Sequence, residues 1–67
     1  MKDYEQRVVV ERDELQVKLE KLRAFLGSPV LLIPEERSRL QQQEGFMQGY
    51  LNVLNARIVQ FASQQQP

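Results

Sequence analysis

Side chains able to make or break bonds are few in this sequence. The hydroxyls belong to Tyr4, Tyr50, Ser28, Ser38 and Ser63, and no His is present to activate them. The absence of Cys removes thiol nucleophiles, disulfides and cysteine zinc sites. Neighbouring carboxylates occur at Asp13-Glu14 and Glu35-Glu36, but adjacent residues on a helix diverge and do not converge on one substrate atom. These pairs read as solvated faces. No Gly-rich phosphate loop or calcium-loop pattern is present. The chain is read as a non-enzyme, with no catalytic residue, no metal site and no cofactor.

Groups suited to recognition are better represented. From Gly45 onwards the one charged side chain is Arg57, yet the stretch holds Gln48, Tyr50, Asn52, Asn55 and Gln60. A tyrosine ring can stack on a base, an arginine can pair with phosphate, and side-chain amides can read hydrogen-bonding edges. Tyr4 and Arg7 near the start of the chain supply more of the same chemistry. The candidate ligand-binding set is therefore Tyr4, Arg7, Tyr50, Asn55 and Arg57. The plainer reading of these residues is the polar rim of an oligomer.

Composition narrows the possible partners. Nine Lys+Arg balance nine Asp+Glu, so the formal net charge is zero over 67 residues. A generic nucleic-acid binder is usually basic, so no DNA partner is expected. No apolar run approaches the roughly 20 residues that span a bilayer, and no apolar stretch follows Met1-Lys2-Asp3-Tyr4-Glu5 as in a signal peptide. A soluble protein of the cytoplasm is expected.

Two helices must position these groups. Residues 3–26 contain neither Gly nor Pro, and Asp3 with Gln6 offers a capping-box start. Val8, Arg12, Leu15, Leu19, Leu22 and Leu26 alternate spacings of four and three, a seam with heptad period. Gly27 suits the position just after a helix end, and Pro29 cannot continue the helix. A second helix over about 35–62 starts behind Pro34, with Glu35 and Glu36 complementing its positive end. Its seam is Leu40, Glu44, Met47, Leu51, Leu54, Ile58 and Phe61. The link, residues 27–34, is short enough to reverse the chain. The expected fold is all-α: one antiparallel helical hairpin over residues 1–62, with residues 63–67 as a flexible tail. Such a hairpin brings Leu26 near Leu40, and Tyr4 and Arg7 towards Ile58 and Phe61.

The seams do not use all the apolar residues. Phe46, Tyr50 and Val53, with Arg57 and Gln60, follow a second four-three pattern, and Val9, Val10, Val17 and Phe25 lie off the first seam. Wider apolar coverage than one stripe per helix implies that another helix packs there. Domains below about 70–80 residues seldom stabilise themselves on one core, and without Cys or His the available help is oligomerisation or very regular helix packing. The expected working unit is a helical-bundle homo-oligomer of unspecified number. Its candidate interface residues are Arg12, Glu44, Gly45, Phe46, Gly49 and Val53. Arg12 and Glu44 put charge into the seams, and either each reaches water at the rim or the two meet across subunits. Gly45 and Gly49 are small residues at helical spacing that allow close approach of another helix or of a ligand. Val30-Leu31-Leu32-Ile33 reads either as a plug over the closed end of the hairpin or as a docking patch.

The order of these features resembles a family of small two-helix proteins encoded by tailed phages, crAss-like phages among them. The likeness rests on Lys18-Leu19-Glu20-Lys21-Leu22 with Phe25-Leu26, a link ending in Pro34-Glu35-Glu36, and Met47, Tyr50, Leu54, Arg57 and Ile58 in the second helix. It covers all but the Gln-rich tail. The resemblance implies a phage accessory protein of the host bacterial cytoplasm, and analogy with other phage accessory proteins of this size adds counter-defence as the expected role. By analogy with other small helical phage proteins, it implies a sponge for a cyclic or ADP-ribose-type nucleotide signal. The alternatives are an inhibitor that docks on a host defence protein, and a structural or assembly accessory with no small ligand.

Overall fold

A computed structural model of the chain describes residues 2–64. It consists of two helices, α1 over Asp3–Leu26 and α2 over Pro34–Gln64. They pack side by side and antiparallel into a rod of 54 × 15 × 14 Å. The helical hairpin is therefore present. Helix α2 extends past the expected end at residue 62, and the last part of the expected tail, residues 65–67, lies outside the described residues. Among the described residues no helix is long and apolar enough to cross a membrane.

The start of α1 lies one residue from the anticipated cap. Lys2 occupies the cap position, and its backbone N–H donates to Glu5 Oε1 at 2.9 Å. Glu5, not Gln6, thus makes the returning bond of a capping box, and Asp3 is the first helical residue. Glu5 is only 2% exposed. The seam explains this burial, because the four-three alternation that ends at Val8 continues back to position 5.

At the far end, Gly27 closes α1 with φ −86° and ψ −5°, an ordinary right-handed conformation that uses none of glycine's special freedom. The Gly27 N–H donates to Arg23 O at 3.0 Å and the Ser28 N–H to Phe25 O at 3.1 Å, and side chains add to these backbone bonds. Ser28 Oγ donates to the Phe25 carbonyl at 2.6 Å, and the Arg37 guanidinium donates to Leu26 O at 3.3 Å and to Val30 O at 3.5 Å. Arg37 belongs to the first turns of α2, so it ties the link to both helices. Pro34 opens α2, where its missing N–H costs nothing, and Glu35 and Glu36 follow in the first turn.

The core follows the seams. Val8, Leu19, Leu51, Leu54 and Phe61 are buried, with Leu15 and Ile58 packed against Val8, Leu54 and Phe61. The link does not form the anticipated plug. Leu32 is half-buried, but Leu31 is 99% exposed and Ile33 64% exposed. An extended segment between Pro29 and Pro34 alternates its side chains, so it can turn only part of them towards the helices.

Leu54 is fully buried at the middle of this core. Leu54→Ala should lower unfolding free energy by about 2–5 kcal/mol, whereas Leu31→Ser should change it by no more than about 0.5 kcal/mol. Urea melts followed by circular dichroism at one fixed protein concentration check both values.

Candidate functional site

The open end of the hairpin joins the start of α1 to the end of α2. There the Tyr4 ring meets Phe61 edge to face, with centroids 5.6 Å apart and planes at 86°. The Arg57 guanidinium carbon lies 5.9 Å from the Phe61 ring centroid on the other helix turn. Arg57 and Phe61 are four residues apart on α2, the spacing that stacks side chains on one helix face. Phe61 is buried as a seam residue, while Tyr4, Arg7 and Arg57 are exposed. An arginine held by a ring face keeps its charge and its donors, because the ring supplies no carboxylate. Among the described residues no carboxylate forms an ion pair with Arg57 or Arg7.

Tyr50 lies on the same flank of α2 as Arg57, about 10 Å nearer the link. Its hydroxyl donates to Glu11 Oε2 at 2.6 Å. Tyr4, Arg7 and Glu11 in turn share one face of α1 through spacings of three and four. One flank of the hairpin therefore carries Tyr4, Arg7, Arg57 and the Tyr50–Glu11 pair. That hydrogen bond to Glu11, with some desolvation and the Glu11 charge, holds the Tyr50 hydroxyl above its ordinary pKa of 10.0, against a lowering by Arg57.

Asn55 is placed elsewhere. Its Oδ1 accepts from Arg12 Nη1 at 2.9 Å, and Arg12 Nε also reaches Asp13 at 2.7 Å. On the same side Arg23 donates to Glu44 at 3.0 Å and to Gln48 Oε1, and Gln48 Nε2 donates to Asn52 at 2.8 Å. This second flank is a row of cross-helix polar contacts. Gln48, Asn52 and Asn55, which composition marked as recognition groups, are engaged within the chain. Arg12 and Glu44 each have an intrachain partner as well. Of the five anticipated ligand residues, four lie on one flank, and Asn55 is turned to the other. Phe61 was anticipated as a seam residue near Tyr4 but not as part of the site, and Glu11 was not anticipated. The i+4 spacing from Arg57 marks Phe61, but nothing local in the sequence marks Glu11 as the acceptor of a tyrosine on the other helix.

The glycines do not serve the packing of α1 on α2. A Cβ built on Gly45 or Gly49 meets nothing within 4 Å, so both face open space. Beside them Phe46 is 79% and Val53 55% exposed. Two interior glycines cost α2 about 1 kcal/mol each relative to alanine, with no return inside this hairpin. A shallow depression along the outer side of α1, bordered by Asp13, Val17, Lys18 and Lys21, contains none of the anticipated residues.

A family model described as Sequestin matches residues 2–60, and the chain belongs to that family. No curated protein and no solved structure matches it significantly.

The Tyr50–Glu11 contact has a pH signature. Folding favours the neutral phenol, so the contribution is complete below the unfolded pKa near 10.0 and is lost as pH rises through the higher folded value. In a Tyr4→Phe background, titration of phenolate absorbance should give a Tyr50 midpoint above 10.0, and adding Glu11→Ala should bring it down.

Proposed function

We propose that this member of the Sequestin family acts by binding and sequestration, as a phage counter-defence protein that holds a nucleotide-type immune signal between copies of the hairpin. The observation that carries this reading is the cluster at the open end. Arg57 lies against Phe61 with Tyr4 at the ring edge, and both Arg57 and Arg7 present charge to solvent without a carboxylate partner among the described residues. Arginine is suited to phosphate, and an exposed tyrosine ring is suited to a base. Glu11 holds the Tyr50 hydroxyl in place on the same flank. The family name, Sequestin, is consistent with a sequestering role.

One hairpin end offers these groups on an open surface. Ligand sites usually bury most of the ligand's area, so a second copy facing the first supplies the missing wall. The site residues of this proposal are Tyr4, Arg7, Tyr50 and Arg57. The place of action is the host bacterial cytoplasm, where such signals are made.

A second reading, a protein-interaction inhibitor of a host defence protein, is favoured by the link. Leu31 and Ile33 stand out from the closed end of the rod, far from the polar groups. In that reading the two apolar side chains insert into a host protein and the open end binds no small ligand.

Calorimetry with cyclic mononucleotides, cyclic dinucleotides and ADP-ribose derivatives separates the two. Binding heat is expected for at least one member of the panel, with affinity reduced at least tenfold by Arg57→Ala and by Tyr4→Ala while helicity is unchanged. Absence of heat across the panel overturns the nucleotide reading. Absence of heat together with loss of counter-defence by Leu31→Ser would favour the second.

A further inference from the structure

The outer side of α2 carries a second heptad seam. Phe46, Gly49, Val53 and Ala56 are spaced three, four and three, and all four are exposed. Their sizes alternate between large and small. No charged residue occurs from Gly45 to Ala56, so the centre of this stripe is uncharged over about three turns of a solvent-facing helix. Depletion of charge together with an exposed aromatic is the composition of an interface core and not of a solvated face. The hairpin's own packing leaves the space above Gly49 open.

The pattern is complementary to itself. When a second α2 lies antiparallel across the stripe with Phe46 opposite Ala56 of the second copy, Val53 comes opposite Gly49 of the second copy. Two-fold symmetry repeats both pairs, so every large side chain meets a small one, as interdigitating layers require. A parallel pairing in register sets Phe46 against Phe46 and Gly49 against Gly49, with a clash beside a void. Charge agrees with the antiparallel arrangement. The last turn of α2 contains no basic residue of its own. In this register Arg39, exposed and ion-paired with Glu36 at 3.7 Å, reaches the level of Ser63 in the second copy and adds a cation beside that end. The chain's zero net charge leaves no overall repulsion between two copies.

We propose that the Phe46–Gly49–Val53–Ala56 stripe is the contact between two copies of this chain, with α2 antiparallel to α2 of the second copy and Phe46 seated on Ala56 of that copy. This rests on the reading that copies assemble, but it needs no ligand. The assembly therefore explains why Gly49 is tolerated inside α2. Gly49 admits Val53 of the second copy, where any larger side chain would hold the helices apart.

The register can be read by cross-linking, since the chain has no cysteine of its own. Gln42 and Gln60 are exposed, continue the seam at its two ends and face each other across the proposed contact. Oxidising a mixture of Gln42→Cys and Gln60→Cys chains should give the mixed disulfide. Each variant alone should stay uncross-linked, because its two thiols stand about 27 Å apart along the axis. Cross-linking of Gln42→Cys with itself would mean a parallel pair and overturn the proposal. A monomeric mass for the unmodified chain at micromolar concentration, with no mixed disulfide, would leave the stripe to a different protein and also overturn it. Gly49→Leu should weaken self-association at least tenfold with helicity retained, and adding Val53→Ala should restore it. Sedimentation in the absence of nucleotide reads these changes, so a failure here is distinct from a failure to bind ligand.

Discussion

The Arg12 guanidinium bonded to Asn55 fixes the arrangement of this hairpin more firmly than its leucines do. Seams of Leu, Met, Ile and Val are nearly degenerate. Sliding one helix past the other by a heptad would set apolar residues against apolar residues again. A polar contact between seam neighbours has no such freedom, because a slip leaves a half-buried donor without an acceptor. Arg23 with Glu44 and Gln48 repeats the constraint nearer the link. The same register places Tyr4 at Phe61, so the open-end cluster is a consequence of contacts made several turns away.

This constraint also makes the hairpin two-sided. The cross-helix polar contacts from Arg12 and Arg23 lie along one flank, where they engage Asn55, Glu44 and Gln48, with Asn52 joined through Gln48. What they leave on the other flank and the outer side of α2 is chemically distinct: exposed Phe46 and Val53, open glycines, and two arginines with no carboxylate partner among the described residues. A small protein with a single thin core has few ways to spend sequence on anything but packing. The gathering of exposed apolar groups and unpaired arginines away from the polar flank is therefore the physical basis for proposing that binding occurs there.

The sequence made the seams legible because periodicity is a property of one helix at a time. Val8, Leu19, Leu51, Leu54 and Phe61 are buried where the four-three alternation puts them. Carrying that alternation one step further would also have exposed Glu5, a buried carboxylate that serves the helix start. What the sequence left undetermined depends on the angle between flanks. Asn55 and Arg57 are close in sequence but turned to different sides, so composition grouped them and the helical turn separates them. Arg12 and Glu44 looked like charges in search of a subunit because their acceptor and donor, Asn55 and Arg23, lie just off the seams. The link stayed open between plug and docking patch for a different reason. Hydrophobicity says that a segment gains from burial, but only chain geometry says whether it reaches a surface, and Leu31, between two prolines, stays exposed.

The large-small alternation on α2 bears on how the open end could enclose anything. An antiparallel pair of α2 helices places the C-terminal end of one α2 beside the N-terminal turns of the other, so the two open ends lie at opposite ends of the pair, too far apart to face one another. A pocket shared between open ends then requires a further contact between pairs, and the faces available for it are those of α1, where Val10, Val17 and Phe25 are exposed. Sequestration between copies and the α2 contact are thus compatible only in an assembly larger than two chains. In such an assembly α2 builds the pair, while α1 and the open-end arginines meet the next pair.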